Sequence, residues 1–140
     1  MFYYAHSINT LNCLQQIDLN TGIEMDIRDQ EGKIVIGHDP FLKNYCDIEP
    51  FLKALKGRNI IANIKSERVE EKFLELLKKY SPDSNYFFLD SSFSMISNYG
   101  KIFSFASRFS EYESIDTTIN LISNGLIKWI WVDTFLNFPI

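Results

Sequence analysis

The stretch Gly22-Ile-Glu-Met-Asp-Ile-Arg28, with Asp29-Gln-Glu-Gly32 and Lys33-Ile-Val-Ile-Gly-His38 behind it, decides how this chain is read. Its first seven residues alternate strictly. Ile23, Met25 and Ile27 fall on one face of an extended chain, and Glu24, Asp26 and Arg28 on the other. That is a period-2 strand. Gly32 supplies a turn, Lys33 to His38 return as a second strand, and Pro40 stops the pair, so the segment is a β-hairpin.

Upstream, residues 2–6 form an apolar, aromatic run that reads as a strand. Residues 9–19 carry Leu11, Leu14 and Gln15 at helical spacing, with Asn9 or Thr10 as the cap. Downstream, residues 47–56 read as a short helix capped by Asp47 and closed by Gly57, and residues 59–65 as a strand. Residues 66–80 give the clearest helix. Ser66 caps it, Val69, Phe73, Leu76 and Leu77 line one side, and Glu70, Glu71, Lys72, Glu75, Lys78 and Lys79 form a solvated face. The remainder reads as strand 85–90, helix 92–99, strand 101–108, helix 115–122 and strand 127–134. Alternating strands and helices imply parallel strands with covering helices, hence an α/β fold. Two architectures fit: a (β/α) TIM-barrel type, incomplete at about six parallel strands plus the hairpin, or an open doubly wound sheet. A flavodoxin-like sheet lacks support, because no Gly-rich phosphate loop follows the first strand.

A length of 140 residues favours one domain spanning 1–140, with a real core. A net charge of −4 argues against a nucleic-acid partner bound through a basic surface. No apolar run approaches the roughly 20 residues of a spanning helix, and the N-terminus has no signal-peptide pattern. Cys13 and Cys46 are too few for a zinc site or disulfide scaffold, so a reduced, cytoplasmic setting is expected. The aromatic content, 15%, suits a dense β-rich core.

The chemistry-bearing residues gather at strand ends: His6, then Glu24, Asp26 and Arg28, then His38 and Asp39, then Asn63 and Lys65, then Asp90, Arg108 and Asp133. A Glu-x-Asp pair on one strand face is ordinary solvation on an outer surface. In a barrel mouth it is a hard-cation site suited to Mg²⁺ or Ca²⁺. A lysine at such a site is a point-charge clamp for phosphate. Trp129 and Trp131 share one face of their strand, which reads as core or interface packing, and Arg108 with Glu111 and Glu113 as an ion-pair cluster.

In this order, His6, Gly22-Ile-Glu24-Met-Asp26-Ile, Gly32-Lys-Ile-Val-Ile-Gly-His38-Asp39 and Ile-Lys65 resemble the glycerophosphodiester phosphodiesterase family, a set of TIM barrels within the phosphatidylinositol-phospholipase-C-like phosphodiesterases. Asn63-Ile-Lys-Ser-Glu67, Phe87-Phe-Leu-Asp-Ser-Ser-Phe93, Arg108-Phe-Ser-Glu-Tyr-Glu113 and Trp129-Ile-Trp-Val-Asp133 extend the resemblance over almost the whole chain. It implies that His6 and His38 are the general acid and base, that Glu24 and Asp26 ligate a divalent metal, and that Lys65 lies near the substrate phosphate. It further implies hydrolysis of a glycerophosphodiester-like or sugar phosphodiester, a small-molecule substrate of lipid metabolism.

Three departures stand out. Ser7 occupies the place of a phosphate-binding arginine, and Arg28 or Arg108 is the substitute. Asn63 replaces a third metal carboxylate; it can ligate through its carbonyl but adds no charge, so metal affinity falls unless Glu67 bends back. A full barrel takes roughly 250 residues, and this chain ends at Pro139-Ile140, directly after the sixth strand. Closure by a homo-oligomer covering open sheet edges, a smaller open sheet, or a fragment would each account for that length. The alternative function is a non-catalytic module that binds a phosphorylated glycan or lipid head group.

Overall fold

The computed structural model describes residues 1–136. The fold is mixed α/β, with a six-stranded mixed sheet, a two-stranded parallel sheet and five helices; no strand order among the described residues closes a barrel. The chain divides into two compact units, Met1–Tyr86 and Phe87–Ile140.

The first unit contains β1 (Tyr4–Ala5), α1 (Leu11–Gln15), β2 (Gly22–Gln30), β3 (Lys33–Ile36), β4 (Cys46–Asp47), α2 (Ile48–Ala54), β5 (Ile60–Ile64) and α3 (Glu70–Tyr80). β2 is its organising strand. One edge pairs in parallel with β5, setting Ile23 against Ile60, Met25 against Ala62, Asp26 against Asn63 and Ile27 against Ile64. The other edge is shared: β1 pairs in parallel with Gly22 and Ile23, and β3 antiparallel with Ile27 to Gln30. Glu31 and Gly32 form the two-residue hairpin loop. Their φ values of 50° and 76° are the left-handed pair that a strand-matched tight turn demands. Paired residues of parallel strands share a face. Ile23, Met25, Ile27, Ile60, Ala62 and Ile64 therefore make one apolar surface, while Glu24, Asp26, Ile61 and Asn63 make the other. Phe51, Leu52 and Leu55 around α2, with Phe73 and Leu77 of α3, complete a buried core. Each such side chain contributes about 1.5–3 kcal/mol by leaving water.

The second unit holds β6 (Tyr86–Leu89, entered at the boundary), α4 (Phe93–Tyr99), β7 (Ala106–Phe109), α5 (Ile115–Ser123) and β8 (Trp129–Val132). Ser92 and Ser114 cap α4 and α5 through their hydroxyls. Phe88 bridges in parallel to Phe105, and β7 pairs in parallel with β8. Phe88, Phe103 and Phe105 pack as an aromatic cluster, and Trp129 stacks on Phe87 with ring centroids 4.9 Å apart.

Several local expectations shift. The clearest helix begins at Glu70, with Val69 as its N-cap; Ser66 instead accepts a hydrogen bond from the Asp29 N–H at 3.2 Å, tying the end of β2 to the residues after β5. Glu70, assigned above to the solvated face, is fully buried. The helix expected over 9–19 spans only Leu11–Gln15, capped by the Thr10 hydroxyl. The strand expected from 101 starts at Ala106. Asp47 precedes α2 without a side-chain capping bond. Pro139 and Ile140 lie outside the described residues.

Candidate functional site

Glu24, Asp26 and Asn63 stand on one face of the β2–β5 pair, and all three are buried, at 1%, 1% and 6% exposure. The alternation of β2 thus separates two interiors rather than a core from a solvated surface. Buried carboxylates are costly unless hydrogen bonds and cations satisfy them. Glu24 meets that requirement fully. Its Oε1 accepts from Asn63 Nδ2 at 2.9 Å, and its Oε2 accepts from the Ser7 N–H at 2.7 Å with His6 Nε2 at 3.5 Å. Because a carboxylate only accepts, the nitrogen of the Asn63 amide has to face Glu24. The amide oxygen is thereby turned away.

Asp26 is held asymmetrically. Its Oδ2 accepts from Asn9 Nδ2 at 2.6 Å, and its own N–H returns a bond to Asn9 Oδ1 at 2.9 Å. Its Oδ1 is buried and accepts no hydrogen bond; the Lys65 ammonium stands 3.5 Å away. Asn63 Oδ1 is buried and likewise lacks a partner. Leaving a buried acceptor unmet costs about 1–3 kcal/mol, so two of them on register-matched residues call for an explanation. Among the described residues no three His, Cys, Asp or Glu side chains converge as a metal site. The donor set on offer is two carboxylates and one amide, all hard oxygen donors, two of whose oxygens are open. That set fits a hard divalent cation such as Mg²⁺ or Ca²⁺, with less charge than three carboxylates would give.

Backbone bonds carry the histidine segments to the same stretch of β2. Beyond β1 the Ile8 N–H donates to Glu24 O at 2.8 Å, and beyond β3 the Gly37 N–H donates to Asp26 O at 3.1 Å. Ser7, between His6 and Ile8, adopts φ 56°, a left-handed conformation disfavoured for serine, and in that posture its N–H meets Glu24. His38 Nδ1 lies 2.9 Å from Asp39 Oδ1. The carboxylate accepts, so Nδ1 carries the proton and Nε2 is left free. The ring is mostly exposed, as is that of His6. Tyr45 shapes this loop: its ring lies against Gly37, where a Cβ would not fit, and its hydroxyl donates to Asp39 O at 2.8 Å. Arg28 Nη2 donates to His38 O at 3.0 Å, and Arg28 Nε is buried without a hydrogen-bond partner. Of the residues expected from sequence, all but Arg108 lie in the first unit.

Arg108 belongs to the second unit and is occupied. It grips Asp90 through Nε at 3.1 Å and Nη2 at 2.6 Å, pairs with Asp133 through Nη1, and has Glu113 at 3.9 Å. Burial alone would lower its pKa; the Asp90 hydrogen bonds and the charges of Asp133 and Glu113 more than offset this and raise it. Glu111, grouped with Arg108 on sequence, instead accepts from the Phe135 and Leu136 N–H groups. A cavity of about 410 Å³ opens here, lined among others by Asp90, Phe93, Arg108, Glu113 and Thr117. With its one guanidinium facing carboxylates, this cavity is a poor host for a phosphate.

Sequence reasoning missed Asn9, read there only as a helix cap. Its reciprocal pair of bonds sets the orientation of Asp26, as outer residues orient a ligand. The available signal was that Asn9 and Thr10 competed for one capping role, and Thr10 fills it. Arg58 was missed as well. It is buried and donates to the carbonyls of Ile17, Asp18, Ala54 and Leu55, sealing the end of α2. Set against known proteins, the chain matches no family model, no curated protein and no solved structure.

Proposed function

We propose that this chain is a metal-dependent phosphoric diester hydrolase, similar to the glycerophosphodiester phosphodiesterases, acting on a glycerophosphodiester-like or sugar phosphodiester. The observation that carries the reading is the pair of buried oxygens that accept no hydrogen bond, Asp26 Oδ1 and Asn63 Oδ1, on the strand face that also carries Glu24, whose Oε2 lies 3.5 Å from His6 Nε2. Glu24, Asp26 and Asn63 would hold the divalent cation. Once bound, that cation supplies polarisation of a phosphoryl oxygen. His38, steered by Asp39, offers its free Nε2 to take a proton from the nucleophile, and His6 returns one to the departing alkoxide. Lys65 and Arg28 supply positive charge for the phosphate. The strand order supports a barrel-type ancestry over a doubly wound sheet: β2 has β1 on one edge and β5 on the other, the sequential parallel order of a (β/α) barrel. A second copy of the chain is the proposed cover for open sheet edges, where Trp129, Ile130 and Val132 of β8 are exposed. The two free cysteines suit a cytoplasmic setting. No described helix is long and apolar enough to cross a membrane.

The test is hydrolysis of bis-(p-nitrophenyl) phosphate with Mg²⁺, Ca²⁺ or Mn²⁺ and with chelator, beside His6→Ala and His38→Ala. Metal-dependent turnover that falls at least about 100-fold in either variant supports the assignment. A folded protein that binds dimethyl phosphate but never turns a diester over overturns it in favour of a binding module for a phosphorylated glycan or lipid head group.

A further inference from the structure

Within the first unit, one oxygen has two claimants. Glu24 has both oxygens engaged by Asn63, Ser7 and His6, and Asp26 Oδ2 is engaged by Asn9. Asp26 Oδ1 is the remaining carboxylate oxygen of the set, and the charge nearest it is the Lys65 ammonium at 3.5 Å. The lysine side chain is one-fifth exposed, against 1% for the aspartate, so it reaches inward from the open side. Its backbone cannot follow a side-chain movement, because the Lys65 N–H is fixed to Ile27 O at 2.9 Å as the strand pairing continues past β5. The four-carbon stem can, since it has free torsions and, among the described residues, only the 3.5 Å ion pair with Asp26 holds its head group.

We propose that Lys65 is a built-in counter-cation of Asp26 that a divalent cation displaces, and that the freed ammonium then turns to the substrate phosphate. The inference rests on the metal-site reading above and deepens it. A buried carboxylate without a cation is expensive, so the empty site stays folded by borrowing one from its own chain. Two cations on one carboxylate oxygen repel each other, so occupancy by one lowers occupancy by the other. The released ammonium is then the charge a phosphodiester needs in place of the arginine that Ser7 lacks. Lys65 is in this sense a positioning residue as well as a substrate contact. Cation and phosphate binding become cooperative through it, and the coupling is reciprocal.

The experiment measures Mn²⁺ affinity of the full chain, from the loss of the free-ion electron paramagnetic resonance signal, for wild type, Lys65→Gln and Lys65→Arg. Lys65→Gln should bind Mn²⁺ about tenfold tighter or more, while Lys65→Arg, which keeps the charge, should stay within about twofold of wild type. Added dimethyl phosphate should tighten Mn²⁺ binding more in wild type than in Lys65→Gln. Unchanged or weaker Mn²⁺ binding in Lys65→Gln overturns the displacement while leaving the metal site intact. Failure of every form to bind Mn²⁺, Asn63→Asp included, overturns the metal site and this inference with it. Should Lys65→Gln fail to fold, wild type with ¹³C-dimethylated lysines keeps the question open to an answer: the Lys65 methyl resonance should move on saturation with Mg²⁺, and one that stays in place overturns the proposal.

Discussion

Two clusters of charged and polar side chains are held by the strands of this molecule, one within β2 and β5 and one around β7, and they differ in how their hydrogen bonds are met. In the second unit Arg108 lies among Asp90, Asp133 and Glu113, and its guanidinium meets Asp90 through two nitrogens and Asp133 through a third. In the first unit Glu24, Asp26 and Asn63 carry deeper burial and leave Asp26 Oδ1 and Asn63 Oδ1 without hydrogen-bond partners. Both clusters include a non-glycine residue in left-handed conformation, Asp90 at φ 62° and Ser7 at φ 56°. Backbone strain therefore does not separate them. The distinction is saturation. A cluster whose cation has its donors engaged holds a fold together, whereas one whose acceptors lack donors is poised to receive a cation.

The sharpest way to break this contrast is Asp26→Asn. Loss of a carboxylate ligand should cut diesterase turnover by more than the roughly 10–100-fold typical of outer-sphere changes. Thermal stability should hold or rise, since a buried charge goes. Turnover assayed beside a thermal melt checks both halves. Arg108→Met should do the reverse. It strands Asp90 and Asp133, and because these groups are partly exposed the cost is about 2 kcal/mol, below the figure for a buried pair. That corresponds to roughly a 6 °C fall in melting temperature, with Mn²⁺ affinity unchanged. Asn63→Asp sharpens the comparison from the other side. A third carboxylate should tighten Mn²⁺ binding about tenfold or more, and the lost Asn63–Glu24 bond should make the metal-free protein less stable. The smallest effect is expected at Glu111, whose carboxyl is held below its usual range by the Phe135 and Leu136 N–H groups. A lowered folded pKa means its contribution is complete above the unfolded pKa and fades as pH falls through the folded one. Protection of the Phe135 and Leu136 amides, taken relative to their intrinsic exchange at each pH, should fall as Glu111 protonates in wild type, and Glu111→Gln should abolish that step.

Much of the fold could be read from pattern, because β2 alternates cleanly and Gly32 marks its hairpin. The polar face of β2 was legible as a set of residues, while its burial was not. A Glu-x-Asp alternation looks the same on an outer surface as in a second interior, and the difference lies in what packs on that face: the Ser7 N–H on Glu24, and Asn9 and Lys65 on Asp26. Glu70 shows the same limit: a charged residue at a helix start patterns as solvated whether or not the fold covers it. The roles of Asn9 and Arg58 stayed hidden because they depend on partners 17 to 41 residues away. Arg108 was legible as a cation and as part of an ion-pair cluster; its saturation by Asp90 and Asp133 needed the strand ends brought together.

The most direct test is an anomalous difference map from crystals soaked in Mn²⁺. A single strong peak is expected against the oxygens of Asp26 and Asn63, with the Lys65 ammonium withdrawn from Asp26 and nothing bound at Arg108. A map with no peak there, and Lys65 still paired with Asp26, would contradict it.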